Sequence, residues 1–252
     1  MTRAVRSPDR YDGIGRTYQQ TRREDPRLAG RIHAALGDAR TVVNVGAGTG
    51  SYEPPGRAVL AVEPSAVMIA QRSARAAPVV QALAENIPLR DRCFEAAMAL
   101  WTIHHWTDLA RGLAELRRVA GRVVIVAPSI LLDRLWLTTD YFPAMTRGRR
   151  PEIQPEQIAR ALGENVRIEP LPVPRDCVDG FGEAYWARPE AYLDPVVRAG
   201  MSAFALLTPE ETEPGLRRLA ADLESGGWDE RHGHLRDLEE LDCGHRLIVA
   251  EL

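Results

Sequence analysis

The chain has 252 residues, 45% of them hydrophobic, with 32 basic and 35 acidic side chains and a net charge of −3. That is enough apolar material for one α/β domain with an insertion, and no basic run marks a nucleic-acid surface. All 32 basic residues are Arg, which excludes Schiff-base and pyridoxal-phosphate chemistry, while Cys93, Cys177 and Cys243 are too scattered for a disulfide framework or a structural zinc site.

The opening MTRAVRSPDR lacks the apolar core of a signal peptide, and no stretch approaches the roughly 20 apolar residues that span a bilayer, so a cytoplasmic protein without membrane contact is expected. In TVVNVGAGTG, the β-branched Val42, Val43 and Val45 suit a buried parallel strand over 41–45. Gly46, Gly48 and Gly50 follow, where a tight turn brings backbone close to a ligand. The next apolar run, 58–62, ends in Glu63, whose carboxylate can accept from both hydroxyls of a ribose lying across the strand ends. Ser51 stands where a dinucleotide fingerprint has its third glycine, and the SYEPP at 51–55 puts two prolines where a helix would open against a pyrophosphate. A nucleoside without phosphates, such as S-adenosylmethionine, suits this turn better.

Ser65 to Ala76 reads as a helix capped by Ser65, 78–81 and 95–100 as the third and fourth strands, and 122–127 as the fifth. Between the last two, Asp108 to Val119 carries Leu109, Leu113, Leu116 and Val119 at helical spacing. The alternation predicts a doubly wound, Rossmann-like α/β fold with a mostly parallel sheet and ligands beyond the C-terminal strand ends. After Pro128 the pattern loosens. VRIEPLPVP at 166–174 reads as a proline-rich strand and CGHRLIVAEL as the final one. Residues 175–240 are too long for a structureless loop and should form helices of their own. They carry Phe181, Tyr185, Trp186, Tyr192 and Phe204 in a chain with only 6% aromatics, which suits a substrate cover. His232 and His234 in RHGH lack further ligands at a recognised spacing, so no metal site is expected.

The order GxGxG, an acidic residue after the second strand, AExxP (Ala84, Glu85, Pro88) after the third and HHW after the fourth resembles the class I S-adenosylmethionine-dependent methyltransferases. The likeness is to the small-molecule group that includes trans-aconitate and ubiquinone-pathway enzymes. It is close over 41–128 and one of layout elsewhere. It implies a seven-stranded sheet with a helical insertion before the last strand: an N-terminal lid over 1–40, a cofactor core over 41–174, a substrate cover over 175–240, and a final strand over 241–252. It also implies S-adenosylmethionine as methyl donor, S-adenosylhomocysteine as product and a small-molecule methyl acceptor, with no nucleic-acid partner. By the resemblance Gly46, Ala47 and Gly48 line the methionine moiety, Asn44 is a further cofactor-binding residue, Glu63 holds the ribose, Pro64 to Met68 border the adenine, and Ala84 and Glu85 lie at its edge. Trp101, Thr102 and His105 sit near the sulfonium, with Tyr11 and Tyr18 of the leading segment over the cofactor. Asn44 stands where an acidic residue often precedes the glycines, and Leu83 where an Asp often meets the adenine amino group.

The sulfonium already activates the methyl group, so positioning is the main demand on the protein. Where a base is used, His104 and His105 are the candidates, since imidazole titrates near neutral pH; on a strand only one of the two would face the substrate. Trp106, Phe181, Tyr185 and Trp186 are expected on the acceptor side. Arg22, with Arg175 and Arg188, offers a guanidinium for a substrate carboxylate. Two other readings compete: a catalytically idle S-adenosylmethionine-binding sensor or scaffold, and a nicotinamide-dependent oxidoreductase, whose common Tyr–Lys site a chain without Lys cannot build.

Overall fold

A computed structural model of the chain describes residues 22–147 and 153–252. The elements in order are α1 (Pro26–Ala35), β1 (Thr41–Val45), β2 (Ala58–Val62), α2 (Ala66–Ala70), β3 (Val79–Val80), β4 (Phe94–Leu100), α3 (Leu109–Val119) and β5 (Ala120–Pro128). They continue with α4 (Pro155–Leu162), β6 (Val166–Pro170), β7 (Val173–Pro174), α5 (Pro195–Ala199), α6 (Pro209–Ser225), α7 (Gly227–His232), β8 (Glu240–Leu241) and β9 (His245–Glu251).

Seven strands form one sheet in the order β3-β2-β1-β4-β5-β9-β6, parallel except for β9, which runs antiparallel to both of its neighbours. This is the Rossmann-like sheet expected from the sequence. Side chains alternate between its faces. Val42, Val124 and Val126 turn to the face covered by α1 and the aromatic residues of the insertion; Val43, Val45, Val123 and Ile125 turn to the face covered by α3 and α4.

The chain passes from β1 to β2 through turns with no intervening helix, so the glycine turn faces no helix N-terminus. That agrees with a phosphate-free ligand. Ser65 caps α2 through the Met68 amide, as expected, but the helix stops at Ala70 rather than Ala76. The cause is Arg72, whose guanidinium turns inward to Glu53 at 2.6 Å and to the Gly48 and Ala77 carbonyls. The strand expected over 166–174 divides: β6 joins the main sheet, whereas β7, beyond Pro172 and its missing N–H, pairs with β8 in a separate two-stranded sheet. The helices α5, α6 and α7 lie within 175–240. No helix of the described residues is long and apolar enough to cross a membrane.

Candidate active site

At the C-terminal ends of β1, β2 and β4 the structure encloses a cavity of about 500 Å³. Its floor is the glycine turn. The Gly46 and Ala47 amides bond to the Val62 carbonyl at 2.8 and 3.2 Å, which folds the turn back over β2. Gly46 sits at φ 71°, and a Cβ there would lie 2.0 Å from Thr102 Oγ1, so only glycine fits.

Glu63 is 6% exposed and borders the cavity. One carboxylate oxygen accepts from the Gly48 amide at 2.8 Å and the other from the Ser65 amide at 2.9 Å. Burial pushes its carboxyl up from the ordinary value, against the pull of those two amides and of Arg72. Each oxygen keeps a lone pair for a ribose hydroxyl. A close-approach turn beside a fixed, buried carboxylate is the cradle that a nucleoside without phosphates requires, so the residues present fit S-adenosylmethionine.

The structure brings most of the expected site residues to this cavity: Asn44, Gly46, Ala47, Gly48, Glu63, Pro64, Met68, Ala84, Glu85, Trp101, Thr102, His104, His105, Trp106, Phe181 and Arg22 all line it. Several hold structural contacts there. Glu85 Oε1 accepts from the Thr107 amide and hydroxyl and from the Asp108 amide, tying the β4 exit to the start of α3. The guanidinium of Arg22 is committed to Asp179, with Nε 2.6 Å from Oδ1, rather than presented to a substrate carboxylate. Asn44 donates to Glu53 at 3.4 Å.

His104 and His105 lie in a 3-10 turn, Ile103–His105, beyond the end of β4. Strand alternation therefore does not separate them; both border the cavity, their rings 3.8 Å apart. Tyr185 and Trp186 fall behind the cavity wall. Trp186 is fully buried and donates to the Val173 carbonyl, while Tyr185 packs on Tyr192 and under Arg188. Tyr11 and Tyr18 lie outside the described residues. Among the described residues no cluster of ligating side chains could hold a metal, and the rings and carboxylates of His232 and Asp140 pair with each other at 2.7 Å.

Sequence reasoning missed three parts of the wall. Trp101, in the left-handed region at φ 49°, directs its indole toward Tyr52 and Phe181 (centroids 5.3 and 5.7 Å), and Tyr52 was not foreseen. Burial, reinforced by neighbouring Asp179, pushes the Tyr52 phenol well above its ordinary value, so it acts as a neutral donor to Asp179 at 2.8 Å. The segment after β5 supplies Ile130, Leu132, Asp133, Met145 and Arg147. Glu183 and His245 complete the far side. None of these has a local pattern; they are assembled by distant segments.

The methyltransferase-domain family matches residues 43–125. A crystal structure of a protein assigned as a methyltransferase from an antibiotic biosynthesis pathway of Anabaena variabilis ATCC 29413 is 34% identical, with a TM-score of 0.84 over 92% of this chain and 100% of that one. Two more distant structures share the fold. The (4+2)-cyclase SpnF is 17% identical at a TM-score of 0.50, over 89% of this chain and 80% of that one. The YcgJ protein from Bacillus subtilis is 16% identical at 0.50, over 88% and 96%. Comparison with curated proteins gave no match. With a full-length relative at 34% identity, the expected seven-stranded, mostly parallel sheet and a cradle that fits the nucleoside, the chain belongs to the class I S-adenosylmethionine-dependent methyltransferases.

Proposed function

We propose that the chain transfers a methyl group to a small-molecule acceptor by direct displacement, in bacterial specialised metabolism. The observation that carries this reading is the cavity itself: about 500 Å³, floored by the glycine turn and Glu63 and lined also by Met145, Phe181, Ser202 and Leu206. That volume lies in the range of small-ligand sites. The 34% identical Anabaena protein, from an antibiotic biosynthesis pathway, supports the metabolic setting.

When bound, S-adenosylmethionine supplies a methyl group already activated by its sulfonium. What the protein adds is placement, worth roughly 7–11 kcal/mol where reacting groups are held in line, against about 10²–10⁴-fold in rate for a general base. Glu63 holds the ribose through the lone pairs that Gly48 and Ser65 leave open. Trp101, Tyr52 and Phe181 form an aromatic wall that keeps water from the reaction centre. His104 and His105 stand at the same rim to receive a proton. The insertion over 175–240 acts as the substrate cover; of the lid expected over 1–40, residues 1–21 lie outside the described residues and α1 packs on the sheet.

The test is calorimetry with S-adenosylmethionine, S-adenosylhomocysteine and NAD(H), followed by transfer of a labelled methyl group to fractionated cell extract. Both sulfur nucleosides should bind, NAD(H) should not, and the label should enter the low-molecular-mass fraction. Label in protein or RNA would overturn the small-molecule reading. Binding without transfer to any fraction would favour an idle sensor.

A further inference from the structure

His245 opens β9 beside Pro128, is 2% exposed, and borders the cavity. Its Nδ1 lies 3.2 Å from Trp101 Nε1. An indole N–H only donates, so Nδ1 is the acceptor and the neutral ring carries its proton on Nε2. That Nε2 is buried and makes no hydrogen bond. It stands 3.4 Å from Glu183 Oε2, within ion-pair reach but outside hydrogen-bond geometry. Phe181 and Trp101 pack edge-on against the imidazole, at 88° and 82°, and hold its plane. A donor left unmet by the protein and a carboxylate therefore stand side by side on one wall of the cavity.

The chemistry of that pair selects its ligand. A hydroxyl meets both groups, accepting from Nε2–H and donating to the Glu183 carboxylate. An ether has no proton for Glu183. A carboxylate has no proton for Glu183 either, and an ammonium has no lone pair for Nε2–H. The surroundings are apolar: Ile130 and Leu206, both lining the cavity, remain 58% and 52% exposed, and Met145 and Phe181 lie alongside.

We infer that His245 and Glu183 bind a hydroxyl group of the methyl acceptor, and that the acceptor is an alcohol or phenol on an apolar body. This rests on the small-molecule reading of the site. It also separates the acceptor from a polycarboxylate such as trans-aconitate, which has no proton for Glu183.

The experiment uses the full chain loaded with S-adenosylhomocysteine and three probes of one shape, 2-naphthol, 2-methoxynaphthalene and 2-naphthoate, with dissociation constants from fluorescence titration. Naphthol should bind at least about tenfold more tightly than either analogue. Glu183→Leu should weaken naphthol about tenfold while leaving methoxynaphthalene and S-adenosylhomocysteine unchanged, and His245→Phe should weaken naphthol by at least as much. The comparison of probes on the wild-type protein stands whether or not a variant folds. The inference is overturned if the ether or the carboxylate binds as tightly as naphthol, if naphthol does not bind to the loaded protein, or if both variants leave its affinity unmoved. A wild-type protein that fails to bind S-adenosylhomocysteine would sink the functional reading itself, and the hydroxyl pair with it.

Discussion

Glu63 joins sequence, burial and ligand in one side chain. It is the last residue the β2 run delivers, two backbone amides fix its carboxylate, and burial raises the pH at which it takes a proton. Glu63→Ala removes an acceptor of two hydroxyls and strands the Gly48 and Ser65 amides. Affinity for S-adenosylhomocysteine should fall by about 10²-fold, since a hydrogen bond to a charged group contributes roughly 1.5–3 kcal/mol. The pH dependence follows from the sign of the shift. The ionised form accepts the ribose hydroxyls, and its folded value lies above the ordinary 4.5, so affinity should decline as pH falls through a range higher than an ordinary glutamate would give. Calorimetry from pH 8 to 5 should show that decline, and Glu63→Gln should abolish it; a flat wild-type profile would refute the assignment. Glu63 was legible in the sequence because ribose chemistry demands a carboxylate at one strand end. Glu183 and His245 were not, because neither sits in a motif and their meeting depends on how the insertion folds back against β9.

The strands at 41–45 and 58–62 were readable to the residue because short apolar runs bounded by turn formers have few other conformations. The helix after Glu63 was overread, since nothing in its local sequence reveals that Arg72 turns inward. Arg72 and Glu53 are 5% and 9% exposed, 2.6 Å apart, and Glu53 also accepts from the Ala77 amide at 2.8 Å. The pair thus staples the end of α2 to the glycine loop. Removing one partner strands a buried charge, so Arg72→Met should lower the unfolding free energy by about 3–5 kcal/mol in urea denaturation. It should also weaken S-adenosylhomocysteine, because the Gly48 carbonyl loses its donor. A loss in stability with unchanged affinity would mean that the staple does not set the turn. The wall over 130–147 escaped sequence reading for another reason. It is built of 3-10 and π turns, which carry no 3.6-residue period, and tertiary contacts order it, including the Trp136 indole bond to the Trp186 carbonyl at 2.9 Å.

At the scale of the whole molecule, the insertion must be registered against the cofactor core, and two buried aspartates do this. Asp179 accepts from the Tyr52 hydroxyl at 2.8 Å and from Arg22, so the residue that follows the glycine turn is tied to the start of the insertion. Asp25 caps α1 through the Arg27 amide at 3.0 Å and accepts from the Val178 amide at 3.1 Å, which binds the helix to the same stretch. Burial acts to raise the Asp25 value, but hydrogen bonds from Arg27 and Val178 outweigh it and hold the carboxyl at about 2, below the ordinary 3.8. A depressed carboxylate contributes stability that is fully present above the unfolded value and is lost as pH falls through the folded one. For Asp25 that window runs from near 4 down to about 2, and the contribution above it is about 2 kcal/mol. Asp25→Asn should therefore lower the unfolding free energy by about that amount at pH 7, with the difference from wild type shrinking toward zero as the pH approaches 2. The same variant loosens the anchorage of Val178, one residue before Asp179 and three before Phe181. If the cover is registered through this tether, S-adenosylhomocysteine should also dissociate faster from Asp25→Asn at neutral pH. A variant that loses stability but releases the nucleoside at the wild-type rate would show that the insertion is seated by its apolar contacts alone.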